Sequence, residues 1–298
     1  MQRELFIAIL AGFGAMFGWG FADLFAKKTI DEIGDIVSLV WAHVFGTIAF
    51  FLILFYQVIV IGNHSSLPQR LADWLLLVFF GVAQGIVYIL VYKGFGKGQV
   101  ALLNPVFASF SGIVALISVA FLGEKLTGHL PISLGIIFIG ILLISMDVEA
   151  LSSKKVKLGN VAGLKEIGLA TIFAAAWTLS WVKFVRGKDW LIYALFMYAF
   201  MSLFLIIYAA FQQVKLKVKK AEVWKFLFLI GFCETLAYAS MSLGYSRSSF
   251  TSVVALISGA FSLPTIIFAR IFLKEKVGRI QTVGTLTIIA GIITLSLV

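Results

Sequence analysis

Ten apolar runs, at about 5–26, 36–61, 71–92, 100–122, 130–147, 166–184, 190–212, 223–244, 251–273 and 279–297, take up most of the 298-residue chain. Each matches the roughly 20 residues a helix needs to cross a bilayer. The runs are far longer than barrel strands and do not alternate polar with apolar residues, so they predict helices. Most connections are shorter than about a dozen residues, so consecutive helices are expected to be antiparallel neighbours. The longest polar stretches, Glu149–Lys165 and Gln213–Lys225, are Lys-rich and leave no room for a domain outside the membrane. The first run exceeds the apolar core of a signal peptide, and no small-x-small site follows it, so it reads as the first span.

Composition agrees with lipid as the main solvent. Hydrophobic residues make up 61% of the chain and charged residues 13%, against roughly a quarter charged in an ordinary soluble domain. Mean hydropathy is +1.05. These values exclude a water-soluble enzyme, a secreted disulfide scaffold and a disordered chain. The net charge of +10 reads as membrane topology and attraction to anionic lipid, not as a nucleic-acid surface, because the basic residues sit between the apolar runs. Connections after odd-numbered helices carry 17 of the 24 Lys and Arg residues; the N-terminus and the even connections carry seven. The positive-inside rule then puts the odd loops in the cytoplasm and both termini outside. Cys233, the one cysteine, has no disulfide partner in the chain.

The two halves repeat each other. At an offset of 150, Trp74, Gly81, Tyr88 and Gly94 meet Trp224, Gly231, Tyr238 and Gly244, with Gln84 opposite Glu234. At 151, Phe110-Ser111 meets Phe261-Ser262, and the Glu124-Lys125 pair meets Glu275-Lys276; Gly140 then meets Gly291. The units are 1–148 and 166–298, joined by a polar linker at 149–165. Each unit holds five helices. Five is odd, so the second copy enters the membrane from the opposite side, and the expected fold is all-α: ten transmembrane helices as two inverted five-helix repeats around a central cavity. Inverted repeats recur in secondary transporters, where exchanging the conformations of the halves switches access from one side to the other.

Gly18-Trp19-Gly20 and Phe121-Leu122-Gly123-Glu124-Lys125-Leu126-Thr127, followed by glycines at 135 and 140, resemble the drug/metabolite transporter superfamily, EamA type. Leu273-Lys274-Glu275-Lys276 with Gly284 and Gly291 repeats the pattern, whereas Trp177 in the second copy lacks flanking glycines. The resemblance implies a ten-helix basket and export or exchange of small metabolites such as amino acids, drugs or sugar derivatives. It also implies cytoplasmic termini, against the charge count.

Glu234 is the sharpest candidate for chemistry. It lies near the middle of the eighth run, where a carboxylate costs several kcal/mol unless paired, hydrated or protonated. It could bind a proton, face an amine, or be tied to neighbouring hydroxyls and hold the bundle together. Tyr238 and Met241 follow on the same helical face, and the repeat puts Gln84 and Tyr88 on the matching face of the third helix, so both faces should line one cavity. Asp23, near the end of the first run, is expected to pair with Lys27 at i, i+4. His43 could relay protons or bond a backbone carbonyl; Trp19 and Trp177 could wall a site or simply pack. Asn104-Pro105 and Pro264 put prolines inside helices four and nine, as kinks or hinges. Glu124, Lys125, Glu275 and Lys276 read as helix-end anchors and gate contacts.

The chain has no Walker motif, and its histidines at 43, 64 and 129 lack metal spacing, so neither a nucleotide, a metal nor another cofactor is expected. No reactive cluster suggests an enzyme. The expected function is secondary active transport of a small metabolite, by alternating access in a cell membrane, with protons as a candidate coupling ion and a monomer sufficient. A lipid-acting membrane enzyme or a scaffold is the alternative.

Overall fold

The computed structural model describes residues 2–62, 65–98, 100–124, 126–144, 162–265, 267 and 278–296. Lys125, Glu275, Lys276, His64 and most of the 149–165 linker lie outside them.

Among the described residues, each of the ten spans holds a helix: α1 (Gln2–Ile33), α2 (Asp35–Phe55), α3 (Leu71–Lys97), α4 in two pieces (Val100–Ala108 and Phe110–Phe121), α5 (Leu130–Ile144), α6 (Leu164–Val185), α7 (Trp190–Phe211), α8 (Ala221–Arg247), α9 (Thr251–Gly259) and α10 (Arg279–Ser296). Six of these are long and apolar enough to cross a membrane unbroken. At 27 residues, α3 and α8 reach about 40 Å, more than the roughly 30 Å hydrocarbon core. Phe6, Leu52, Leu75, Phe79, Ile172 and Phe211 stand more than half exposed, as side chains facing lipid do.

Four features differ from the sequence pattern. Helix α1 runs on to Ile33 and turns into α2 through Gly34 alone, at φ 87°, a backbone conformation that favours glycine. Helix α2 loosens into a π turn over Tyr56–Val60. The breaks in α4 and α9 do not fall on their prolines. Pro105 sits within Val100–Ala108, and α4 breaks at Ser109, whose hydroxyl donates to the Val106 carbonyl at 2.6 Å. A serine that captures a nearby carbonyl competes with the helical ladder. Helix α9 breaks at Ala260–Phe261, with Leu263 N donating to the Ala260 carbonyl at 2.8 Å. Pro264 then lies in the first turn of the continuation, where its missing N–H costs little.

Chain neighbours are not the main packing partners. Helix α1 lies along α8 and α9, and α6 lies along α3 and α4; α2 packs on α8 and α7 on α3; α2 meets α7, α4 meets α9 and α5 meets α10. Exchanging each helix for its repeat mate leaves this set unchanged, so the two units interlock about a pseudo-two-fold axis. Between helices in lipid, attraction comes from close packing rather than from water exclusion, which favours small residues at the crossings.

The glycines shared by the repeats occupy those crossings. A Cβ on Gly81 would lie 2.8 Å from the Met197 carbonyl oxygen, and one on Gly231 would lie 2.4 Å from that of Ala42. Trp74 stacks edge-on against Phe196 of α7, at 4.6 Å between centroids, and its mate Trp224 against Trp41 of α2, at 4.9 Å. In the Gly18-Trp19-Gly20 motif, a Cβ on Gly18 would run into the Cys233 carbonyl of α8 and one on Gly20 into Pro264 and the Phe261 carbonyl of α9. Trp19, between them, is left to point elsewhere.

Candidate functional site

Trp19 points into a small cavity at the centre of the bundle. Its lining comes from both repeats: Trp19 and Asp23 of α1, Gln84, Tyr88, Val91 and Tyr92 of α3, Phe107 and Phe110 of α4, Ala174, Trp177 and Thr178 of α6, Glu234, Tyr238 and Met241 of α8, and Phe261 of α9. The two matched faces of α3 and α8 therefore converge, with Gln84 Nε2 donating to the Tyr238 hydroxyl at 2.6 Å. Trp19 and Trp177 each present an edge-on contact to Tyr238, at 5.7 and 6.3 Å between centroids.

Glu234 is 3% exposed. Its Oε2 accepts from the Tyr198 hydroxyl at 2.8 Å and lies 3.2 Å from His43 Nε2. His43 sits behind the lining, fully buried, stacked on Tyr198 at 5.3 Å and edge-on to Tyr88 at 4.7 Å. Its Nδ1 is 2.8 Å from the Leu39 carbonyl. A carbonyl can only accept, so Nδ1 carries a proton and Nε2 of the neutral ring is a bare acceptor. Facing an ionised carboxylate, that nitrogen would oppose a second acceptor. One added proton, on the ring or on the carboxyl group, makes the contact attractive.

Asp23 departs from the sequence expectation. It stands ten residues before the end of α1, about 15 Å from the helix end, and meets Asn104 rather than Lys27. Lys27 pairs instead with Asp31 at 2.8 Å and donates to the Phe95 carbonyl at 3.2 Å. Asp23 Oδ2 accepts from Asn104 Nδ2 at 3.0 Å, and Asn104 Oδ1 accepts from the Ser262 hydroxyl at 3.0 Å. Asn104 ties the interior of α1 to the broken regions of α4 and α9. Sequence reasoning missed Asp23 because it took the first run to end near residue 26, and it missed Tyr198 because a Tyr in an apolar helix carries no depth or partner signal.

An aromatic stack lies beside the cavity. Trp177 stacks on Trp181 at 5.4 Å, Phe80 packs edge-on to Trp181 at 5.3 Å, and Trp177 Nε1 donates to the Phe80 carbonyl at 2.9 Å. Beyond it, at the face bearing the N-terminus, Glu4 accepts from Ser249 and Arg186 donates to Thr251. Glu124, at the end of α4, accepts from the backbone N–H of Ser252 at 2.9 Å and from the Ser252 hydroxyl. It thereby caps the first turn of α9. Burial raises the Glu124 pKa, while the Ser252 hydrogen bonds and then Arg186 act to lower it. Its expected gate partners Lys125, Glu275 and Lys276 lie outside the described residues. A hydrogen bond to a charged group contributes about 1.5–3 kcal/mol. Glu124→Ala should accordingly raise amide exchange across 248–256 by about tenfold or more; unchanged exchange would show that the clasp holds nothing.

A family model described as the EamA-like transporter family matches residues 6–146 and 164–297. The chain belongs to this family. The two matched stretches are the two five-helix units, so this EamA-like chain is an integral membrane protein and a transporter of the drug/metabolite superfamily. Among curated proteins, none matches the chain. One solved crystal structure superposes with a TM-score of 0.76 over 97% of this chain and 96% of that one, at 13% identity; that likeness shows the fold alone. Within the EamA-like frame, Gly18 and Gly20 let α1 approach α8 and α9 closely enough to put Trp19 in the cavity. The second copy has Ala176 and Thr178 around Trp177, and Thr178 joins the lining.

Proposed function

We propose that this EamA-like transporter is a secondary active exporter or exchanger of a small metabolite, such as an amino acid or an amine, in the cell membrane. It works by alternating access, with Glu234 and His43 as its proton site. The observation that carries this reading is the buried Glu234 carboxyl, bonded to Tyr198 and facing a His43 nitrogen, at the seam between the two repeats. Buried ionisable groups inside a bundle mark ion or substrate pathways by default.

The cavity encloses about 40 Å³. A water needs at least 10–15 Å³ on this measure, so the space holds water or one small polar group and not a whole metabolite. The conformation is contracted around the site, and transport requires it to widen. The breaks at Ser109 and at Ala260–Phe261 supply the places where α4 and α9 can bend. The test is uptake of radiolabelled amines and amino acids into proteoliposomes with an imposed pH gradient. The expected result is accumulation that collapses with the gradient; accumulation indifferent to it would remove the proton from the mechanism.

A further inference from the structure

The chemistry of the lining narrows the substrate. Two carboxyl groups, Asp23 and Glu234, border the cavity, and among its described lining residues none is Lys or Arg. Eight of the fifteen lining residues are aromatic. A cation over an aromatic face is attracted by the ring quadrupole, and more strongly where water is excluded.

Unpartnered polar atoms point the same way. Gln84 spends its Nε2 on Tyr238, which leaves its Oε1 without a partner; Gln84 is 7% exposed. Tyr92, at 3% exposure, has an unpartnered hydroxyl in the same lining. Buried polar groups are normally satisfied. Gln84 Oε1 and the two carboxyl groups offer acceptors, the Tyr92 hydroxyl can accept or donate, and the Trp19 indole N–H is an unpartnered donor. An ammonium group brings three donors and no acceptor. A carboxylate would bring only acceptors and a negative charge that no Lys or Arg of the described lining compensates.

We infer that the substrate is an organic ammonium ion with an apolar or aromatic body and no carboxylate. Amines are its class; the carboxylate of a zwitterionic amino acid or an organic anion would find no Lys or Arg partner in the described lining. This inference rests on the transport reading for its meaning in the cell, but binding tests it separately.

The experiment uses matched pairs that share a ring and an amine and differ by a carboxylate: phenylethylamine against phenylalanine, and tryptamine against tryptophan. Purified full-length protein is titrated with each and followed by thermal stabilisation and by displacement of radiolabelled phenylethylamine. At least one amine should bind ten times or more tighter than its amino acid, about 1.4 kcal/mol. Asp23→Asn, which keeps an oxygen for Asn104, should weaken that amine tenfold or more, and Trp19→Leu should weaken it too, with ligand-free melting of each variant read alongside. Amino acids binding as tightly as amines, neither amine binding, or Asp23→Asn leaving amine affinity unchanged in a folded protein would each overturn the assignment. Counterflow in proteoliposomes separates the two readings. Selective amine binding without counterflow keeps the class and removes transport; counterflow of amino acids but not amines keeps transport and removes the class.

Discussion

Glu234→Gln should reduce gradient-driven accumulation in proteoliposomes to simple equilibration. Each pH unit across the membrane is worth about 1.4 kcal/mol per proton, so a coupled carrier concentrates its substrate about tenfold per unit for each proton exchanged. With a gradient of about two units the unaltered protein should approach a hundredfold accumulation, and the variant onefold. The substitution is chosen for shape. Both contacts fall on Oε2, so a glutamine keeps one of them: its oxygen accepting from Tyr198, which now bonds Glu234 at 2.8 Å, or its amide nitrogen donating toward His43 Nε2, now 3.2 Å away. The size and one contact survive, but the group can no longer gain and lose a proton. Folding, judged by melting and by size-exclusion behaviour, should change little. Unchanged accumulation and an unchanged pH profile would take Glu234 out of the coupling step.

Gly231→Ala should destabilise the protein by about 1–3 kcal/mol, the usual cost of overpacking a filled interior, and Gly231→Leu should leave no monodisperse protein. The added Cβ would lie 2.4 Å from the Ala42 carbonyl oxygen and 2.6 Å from the Gly46 nitrogen. Both are backbone atoms, so α2 and α8 must part, and with them the His43 and Glu234 side chains they carry. Its repeat mate Gly81, 2.8 Å from the Met197 oxygen and the Met201 nitrogen on the same construction, should respond in kind. Gly168 in α6 supplies the control, since a Cβ there meets no heavy atom within 4 Å. Gly168→Ala should be neutral or stabilising by up to about 1 kcal/mol, from helix propensity alone. Equal melting temperatures for Gly231→Ala and Gly168→Ala would show that these crossings do not hold the repeats together.

Much of the site was legible before any coordinates because the repeat doubles the signal. Gln84 with Tyr88, and Glu234 with Tyr238, fall at the same register in matched helices, and symmetry about the seam brings matched faces to one place. The glycines matched between the copies likewise turned out to be crossing points, where only a hydrogen side chain fits. Asp23 was misplaced for a local reason. Its spacing to Lys27 suits an ion pair, but Asp31 satisfies the same lysine one turn further on, which frees Asp23 to face inward and meet Asn104. The prolines at 105 and 264 suggested bends, yet the bends sit at Ser109 and at Ala260–Phe261, because the position of a break depends on which carbonyls find other donors.

From its sequence alone, this chain is a ten-span membrane protein built of two odd-numbered copies, since apolar length and residue register need no knowledge of packing. That Glu234 lies between Tyr198 and His43, that Asp23 joins it around one hollow, and that the hollow measures about 40 Å³ were settled only by tertiary structure. These contacts join residues from 36 to 191 positions apart, and such distances are closed by how helices cross in three dimensions, which no local pattern of polar and apolar residues encodes.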